Sequence, residues 1–159
     1  MTTSEPAIVL GALLGQARGA LSAVPQEALG REKIPRWRAP RIVRAGSAWH
    51  VGVLLLTDDA LLATGEVLRA AEPVRRGYAA ESARARAERR AEASRGGFAN
   101  GETVHVGWTP VDLAAVASGG SSGPLALIDG IPSVRWSATG GYMPLEAYLR
   151  ERIALLQGG

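Results

Sequence analysis

The stretch WHVGVLLLTDDALLATGEVLR, Trp49–Arg69, decides the fold, because it holds two β-prone runs separated by Asp58-Asp59. The first run is rich in apolar residues and ends at Thr57, and the second ends at Arg69. Aspartate tolerates the left-handed backbone that a two-residue connection between strands requires. The stretch therefore predicts a β-hairpin, and an antiparallel sheet as the core of the protein.

The composition predicts one soluble domain. A chain of 159 residues lies within the usual domain size of about 100–200 residues, and 47% hydrophobic residues can form a sizeable core. Cysteine is absent from the sequence, which excludes disulfides, thiolate zinc sites and cysteine nucleophiles. We therefore treat residues 1–159 as a single domain.

The first 23 residues predict an N-terminal helix, with Ser4 as the N-cap and Pro6 in its first turn. Glu5 stands where a secretory signal has a basic residue, so we expect a cytoplasmic protein. The uncharged run from Pro6 to Ala17 is shorter than the roughly 20 residues of a transmembrane span. Glycines at 11, 15 and 19 share one face, which favours a soluble helix lying close on a sheet; the alternative is a glycine seam between membrane helices.

Residues 24–40 predict an irregular connection, because prolines at 25, 35 and 40 interrupt any regular element. The overlapping segment Arg31–Arg44 has one acidic residue, Glu32. Charge runs are usually solvated, which favours a linker whose Trp37 packs on the edge of the core. Alternatively, the interleaved cations and aromatic ring would bind phosphate or an anionic membrane. The basic residues of the segment are Arg31, Lys33, Arg36, Arg38, Arg41 and Arg44.

Residues 79–95 predict a helix that interrupts the sheet and ends at Gly96-Gly97. Its apolar stripe consists of alanines, which bury little area, so we expect loose packing on the sheet or on a partner. The opposite face is basic and predicts either a solvated surface or an anion-binding one. The cations of this face include Arg84, Arg86, Arg89 and Arg90.

The remaining segments predict more of the same sheet, over residues 41–136, and a closing helix over 144–157. Asp129-Gly130 between two apolar runs is typical of a type I′ hairpin turn. Pro132 predicts that the strand after this turn lies at a sheet edge. The closing helix is amphipathic, because large apolar residues repeat at helical spacing at 145, 148, 149, 153 and 156.

This order of elements predicts an α+β fold, with an antiparallel β-meander or a partly open barrel and helices at the start, middle and end. From Arg41 to Gln157 the order resembles pleckstrin-homology and GRAM-like barrels, in which a last helix closes one end. The stretches AWHVGVLLLTDDALLATGE and RGGFANGETVHVGW resemble small actinobacterial proteins of unassigned function. Some proteins of that kind are labelled glutaminase.

The residues needed for glutaminase chemistry are absent. Serine glutaminases use a Ser-x-x-Lys pair, but the one lysine, Lys33, follows Gly30 at that spacing, and amidotransferase types need cysteine. The two histidines, His50 and His105, lie in apolar strand patterns, which favours structural histidines over ligands of a metal shared with Asp58 or Asp59. We therefore predict no catalytic residue, no metal site and no cofactor.

Two functions of different classes follow from the sequence. The first is a non-catalytic binding domain with a basic surface that contacts a protein or an anionic surface; nucleic acid and a homo-oligomer are compatible with it. The second is a small-amide hydrolase that uses His50 or His105 as a base. The residues predicted to bind an anion or partner are Arg31, Lys33, Arg36, Trp37, Arg38, Arg41, Arg86, Arg89 and Arg90.

Overall fold

A computed structural model of the protein describes residues 4–73 and 80–158. It has four helices and eleven strands among these residues, which confirms the α+β class, and the described strands do not close into a barrel. The chain forms two compact units. The sheet unit comprises Glu27–Ala48 and Thr64–Trp108, and the helical unit comprises Met1–Gln26, Trp49–Ala63 and Thr109–Gly159.

The sheet unit contains four strands and one long helix. The strands are β1 (Glu27–Lys33), the first part of β2 (Arg41–Val51), β5 (Glu66–Arg69) and β6 (Thr103–Val106). They lie in the order β5-β6-β1-β2, with β1 and β6 parallel and the other pairs antiparallel. The helix α2 (Glu81–Arg95) lies against β5. The start of the predicted helix, Ala79, falls outside the described residues. The core of this unit consists of Ala28, Ile42, Leu68, Ala70, Ala93, Phe98, Val104 and Val106.

The helical unit has three helices around short antiparallel strands and the end of β2. The helices are α1 (Glu5–Ala20), α3 (Leu113–Ala117) and α4 (Leu145–Gly158). Strands β3 (Leu54–Leu56), β4 (Leu61–Ala63) and β7 (Thr109–Pro110) continue from residues 49–51 of β2. A second sheet has the order β11-β10-β9-β8 and consists of β8 (Ser121–Ser122), β9 (Leu125–Ile128), β10 (Ile131–Arg135) and β11 (Tyr142–Pro144).

The hairpin predicted at Asp58-Asp59 is confirmed, because β3 and β4 pair antiparallel on either side of this turn. The single long strand predicted on each side of the turn is wrong. The run after the turn divides into β4 and β5, and β5 pairs with β6. The run before the turn divides into β2 and β3. Gly52 has a φ of +64° and turns the chain between β2 and β3, a conformation that favours glycine. The hydroxyl of Tyr148 accepts a hydrogen bond from the Val53 N–H at 2.9 Å and fills the space beside Gly52.

The irregular connection predicted for residues 24–40 is also partly wrong, because residues 27–33 form β1. The segment EALGREK has no β pattern of its own, and it becomes a strand because β2 and β6 flank it. Gly30 permits this packing, since a Cβ atom there would lie 2.5 Å from Ile42 Cγ2 and 2.8 Å from Val104 Cγ1. The prolines lie before the strand and in the loop that follows it.

The second predicted hairpin is confirmed. Asp129 and Gly130 have φ values of 51° and 79°, as a type I′ turn requires. The edge position predicted from Pro132 is wrong, because β10 lies between β9 and β11. Pairing with β11 begins only at Ser133, so Pro132 needs no N–H on that side.

The terminal helices form where the sequence predicts them. The closing helix α4 buries Leu145, Tyr148, Leu149 and Ile153 in the core of the helical unit, as predicted. In α1 the buried residues are Leu10, Leu14 and Ala17. The glycines at 11, 15 and 19 are exposed, and a Cβ atom added at any of them would contact no other part of the described structure. The expectation that the glycine face packs on a sheet is therefore wrong. No helix within residues 4–73 and 80–158 has the length and apolar character to cross a membrane.

Candidate functional site: the basic tip of the β1–β2 hairpin

The loop between β1 and β2 presents a cationic surface with exposed apolar side chains. Lys33 and Arg41 are paired at the last rung of the hairpin, and residues 34–40 form the connection between them. Pro35 and Pro40 lie in this connection and cannot donate backbone hydrogen bonds to a sheet. We call residues 31–38 the basic tip.

Two large apolar side chains of the basic tip are exposed to solvent. Trp37 is 87% exposed and Ile34 is 79% exposed, the highest values among the large hydrophobic residues that the structure describes as exposed. The expectation that Trp37 packs on the edge of the core is therefore wrong. The guanidinium carbon of Arg36 lies 5.4 Å from the centroid of the Trp37 ring, within the range of a cation–π contact. The tip thus combines an apolar surface with a charged one.

Four cations of the basic tip are exposed: Arg31, Lys33, Arg36 and Arg38. None of the four forms an ion pair with a carboxylate within residues 4–73 and 80–158. Successive side chains of a strand point to opposite faces, so Arg31 and Lys33 share one face of β1 while Glu32 lies on the other. The cationic face therefore excludes the one acidic side chain of the segment.

Arg89 of α2 pairs with the one acidic side chain of the tip, Glu32. The Arg89 guanidinium lies 2.9 Å from the Glu32 carboxylate, 2.8 Å from that of Glu66 and 2.6 Å from that of Glu92. Partial burial lowers the pKa of Arg89. The hydrogen bonds and the negative charges of Glu66 and Glu32 together raise this pKa by more than burial lowers it, so the net shift is upward. Although Arg89 was predicted to bind an anion, its guanidinium is already engaged by three carboxylates. We assign it to the support of the tip.

A second arginine of α2 fixes the other end of the loop. Arg95 donates hydrogen bonds to the Pro40 carbonyl from Nε at 3.0 Å and from a terminal nitrogen at 2.8 Å. The following residue, Gly96, approaches the Ile42 carbonyl so closely that a Cβ atom would clash with it. Arg89 and Arg95 thus connect one helix to β1 and to the end of the loop that precedes β2.

The other predicted binding residues lie outside the tip. Arg41 is half-buried, and Arg44 is engaged by Glu102 at 2.7 Å and by the Phe98 ring at 4.7 Å. Arg86 and Arg90 are exposed on α2 and line a groove with β5, where Arg90 donates a hydrogen bond to the Arg69 carbonyl. Arg86 and Arg90 therefore belong to a basic surface that is separate from the tip.

The two histidines differ in their exposure to solvent. His105 of β6 is fully buried, and its Nε2 lies 2.9 Å from a Glu27 carboxylate oxygen. A general base must reach the proton that it abstracts, and burial keeps this ring from solvent. His50 is half-buried in the helical unit, where its Cα is paired with that of Leu55. The Glu27–His105 contact stabilises a polar group inside the sheet unit.

Comparisons with known proteins give no family for this chain, because no family model, curated protein or solved structure matches it.

The sequence identified Trp37 and the cations of the tip but missed Ile34. The signal was present in KIPRWR, residues 33–38. A side chain between a strand end and a proline has no sheet face on which to pack, so an apolar residue there is exposed. The pairing of Glu32 with Arg89 left no such signal, because 57 residues separate the two in sequence.

Proposed function

We propose that this protein is a non-catalytic binding domain that holds a negatively charged partner through the basic tip. The observation that carries the proposal is the arrangement of charge on β1. Arg31 and Lys33 are exposed without a carboxylate partner among the described residues, while the Glu32 carboxylate lies on the opposite face and pairs with Arg89. The face that carries Arg31 and Lys33 therefore presents positive charge without the acidic side chain of the tip.

The position of the cations supports strong attraction at short range. Charges in water are screened over about 8 Å at physiological ionic strength, so only a partner close to the tip feels them. Four cations within eight residues act on the same partner surface. We therefore expect binding that weakens steeply as salt is added.

The attachment of the tip to α2 also favours binding. A loop that is ordered before it meets its partner loses less conformational entropy on association. Arg89 on the β1 side and Arg95 on the β2 side restrain the loop ends in the free protein. The arginines of α2 thus contribute to binding as supports of the tip.

Chromatography on a sulfonated or heparin matrix tests this proposal. We expect the variant Arg36→Ser/Arg38→Ser to elute at clearly lower salt than the wild type. A control, Arg135→Ser/Arg150→Ser, removes two exposed cations of the helical unit and lowers the formal net charge of +3 by the same two units. The control should retain most of the affinity. Equal losses in the two variants would mean that net charge, and not the basic tip, determines retention.

A further inference from the structure

We infer that the negatively charged partner is the surface of an anionic lipid bilayer, into which Ile34 and Trp37 insert. The inference rests on the proposed function and goes beyond it by naming the partner. It follows from the exposed apolar side chains of the tip, because attraction between charges does not explain why Ile34 and Trp37 are exposed there. Among the described residues, Trp37 and Ile34 are the large hydrophobic residues with the highest exposure, and both lie among the exposed cations of the tip.

The chemistry of Ile34 distinguishes a bilayer from a nucleic acid. A tryptophan ring can stack on a base, so Trp37 fits either partner. An isoleucine side chain has no π face and no hydrogen-bonding group, so its contacts with phosphates and bases contribute little binding energy. The boundary between headgroups and acyl chains removes such a side chain from water, and tryptophan is enriched at that depth.

The arrangement of the tip matches the layers of a membrane surface. Ile34 and Trp37 lie in the connection itself, while Arg31 and Lys33 lie further back along β1. Insertion of the connection therefore leaves the strand cations beside the phosphates. Arg36 and Arg38 flank the indole, and their long side chains can extend back to the headgroups while their methylene groups stay with the apolar residues.

Both kinds of contact are needed for binding of this type. Each basic side chain near an anionic surface contributes about fivefold in affinity, and burial of one large apolar side chain contributes about tenfold or more. Neither alone holds a protein on a membrane firmly, since stable anchoring takes two signals. We therefore expect binding that needs anionic lipid and also needs the two apolar side chains.

Vesicle sedimentation and fluorescence quenching test the inference. The full-length protein is mixed with phosphatidylcholine vesicles that contain or lack phosphatidylserine, and with vesicles whose acyl chains carry bromine. We expect binding only with phosphatidylserine, and quenching of tryptophan fluorescence by bromine that disappears in Trp37→Ser. The variant Ile34→Ser/Trp37→Ser should lose at least tenfold in vesicle affinity while its elution from the sulfonated matrix changes little.

A matched control removes the same two residue types from the helical unit. Ile131 and Trp136 are 52% and 48% exposed, so Ile131→Ser/Trp136→Ser deletes one isoleucine and one tryptophan that are also exposed to solvent, although less than Ile34 and Trp37. We expect its vesicle affinity to equal that of the wild type. The inference would be overturned if the Ile34→Ser/Trp37→Ser variant bound phosphatidylserine vesicles as tightly as the wild type. It would also be overturned if the protein bound a single-stranded oligonucleotide and not vesicles, with an affinity that Ile34→Ser leaves unchanged. If the membrane inference fails but retention on the sulfonated matrix still depends on Arg36 and Arg38, the proposed function stands.

Discussion

The guanidinium of Arg89 lies 2.9 Å from the carboxylate of Glu32, on the face of β1 opposite to Arg31 and Lys33. This pair links the α2 helix to the hairpin that presents the basic tip. It also pairs the one acidic side chain of the tip with a cation.

Replacing Arg89 with Gln should weaken binding to phosphatidylserine vesicles by about fivefold, since it removes the cation shared by three carboxylates and makes the surroundings of the tip more negative by one charge. The double variant Arg89→Gln/Glu32→Gln should recover most of the affinity, because it restores the net charge by removing the acid within the tip. Vesicle sedimentation at fixed salt measures both variants. If Arg89 itself contacts the membrane, the double variant will bind as weakly as the single one, and this assignment is wrong.

A methyl group at position 30 should destabilise the protein. The Cβ of Gly30→Ala would lie 2.5 Å from Ile42 Cγ2 and 2.8 Å from Val104 Cγ1, and such overpacking of a core costs about 1–3 kcal/mol. The control Gly15→Ala places a methyl group on the exposed face of α1, where it meets nothing, and should stabilise the protein by about 0.5–1 kcal/mol. Urea denaturation measures both changes. A Gly30→Ala variant as stable as the wild type would contradict the pairing of β1 with β2.

The closing helix should stabilise the helical unit through its buried face. Leu145 is fully buried, so Leu145→Ala should lower the free energy of unfolding by about 2–5 kcal/mol. Leu155 lies on the same helix but is 62% exposed, so Leu155→Ala should change it by less than about 0.5 kcal/mol. Thermal or urea unfolding compares the two variants. Similar losses in both would mean that α4 buries a different face.

Acid should remove the contribution of Glu102. Its hydrogen bond from Arg44 lowers the pKa of the Glu102 carboxyl below its usual value of 4.5; burial opposes this, and the Ala99 N–H assists it. A depressed pKa stabilises the folded state above the usual pKa, and the effect is lost as the pH falls through the folded pKa. The wild type should therefore exceed Glu102→Gln in stability at neutral pH, by less than about 1 kcal/mol for an exposed pair. In urea titrations this difference should vanish in acid; a difference that persists there contradicts the assignment.

The parts of the fold that local chemistry determines could be predicted from the sequence. Asp129-Gly130 favours a type I′ turn whatever surrounds it, and Ser4 with Pro6 begins α1 as expected. Strand β1 could not be predicted, because EALGREK forms a strand only between β2 and β6, and β6 lies far along the chain. The turn at Gly52 is hidden inside an apolar run, and its space is filled by Tyr148, 96 residues later.

The candidate site shows the same division. The sequence shows that basic residues cluster around Trp37, but the exposure of these side chains depends on the contacts that hold the two ends of the loop. Arg95 fixes Pro40 from 55 residues away, and Arg89 compensates Glu32 from 57 residues away. A charge run by itself predicts a solvated surface. Only the tertiary contacts show that Glu32 is paired with Arg89, while the cations of the tip have no carboxylate partner among the described residues.

Hydrogen–deuterium exchange of the full-length protein, with and without phosphatidylserine vesicles, tests the central claim most directly. At short labelling times the vesicles should slow exchange in residues 31–41, and the effect should disappear in the Arg36→Ser/Arg38→Ser variant. Protection confined to other segments, with residues 31–41 exchanging at the same rate in both conditions, would contradict the claim that the basic tip is the binding surface.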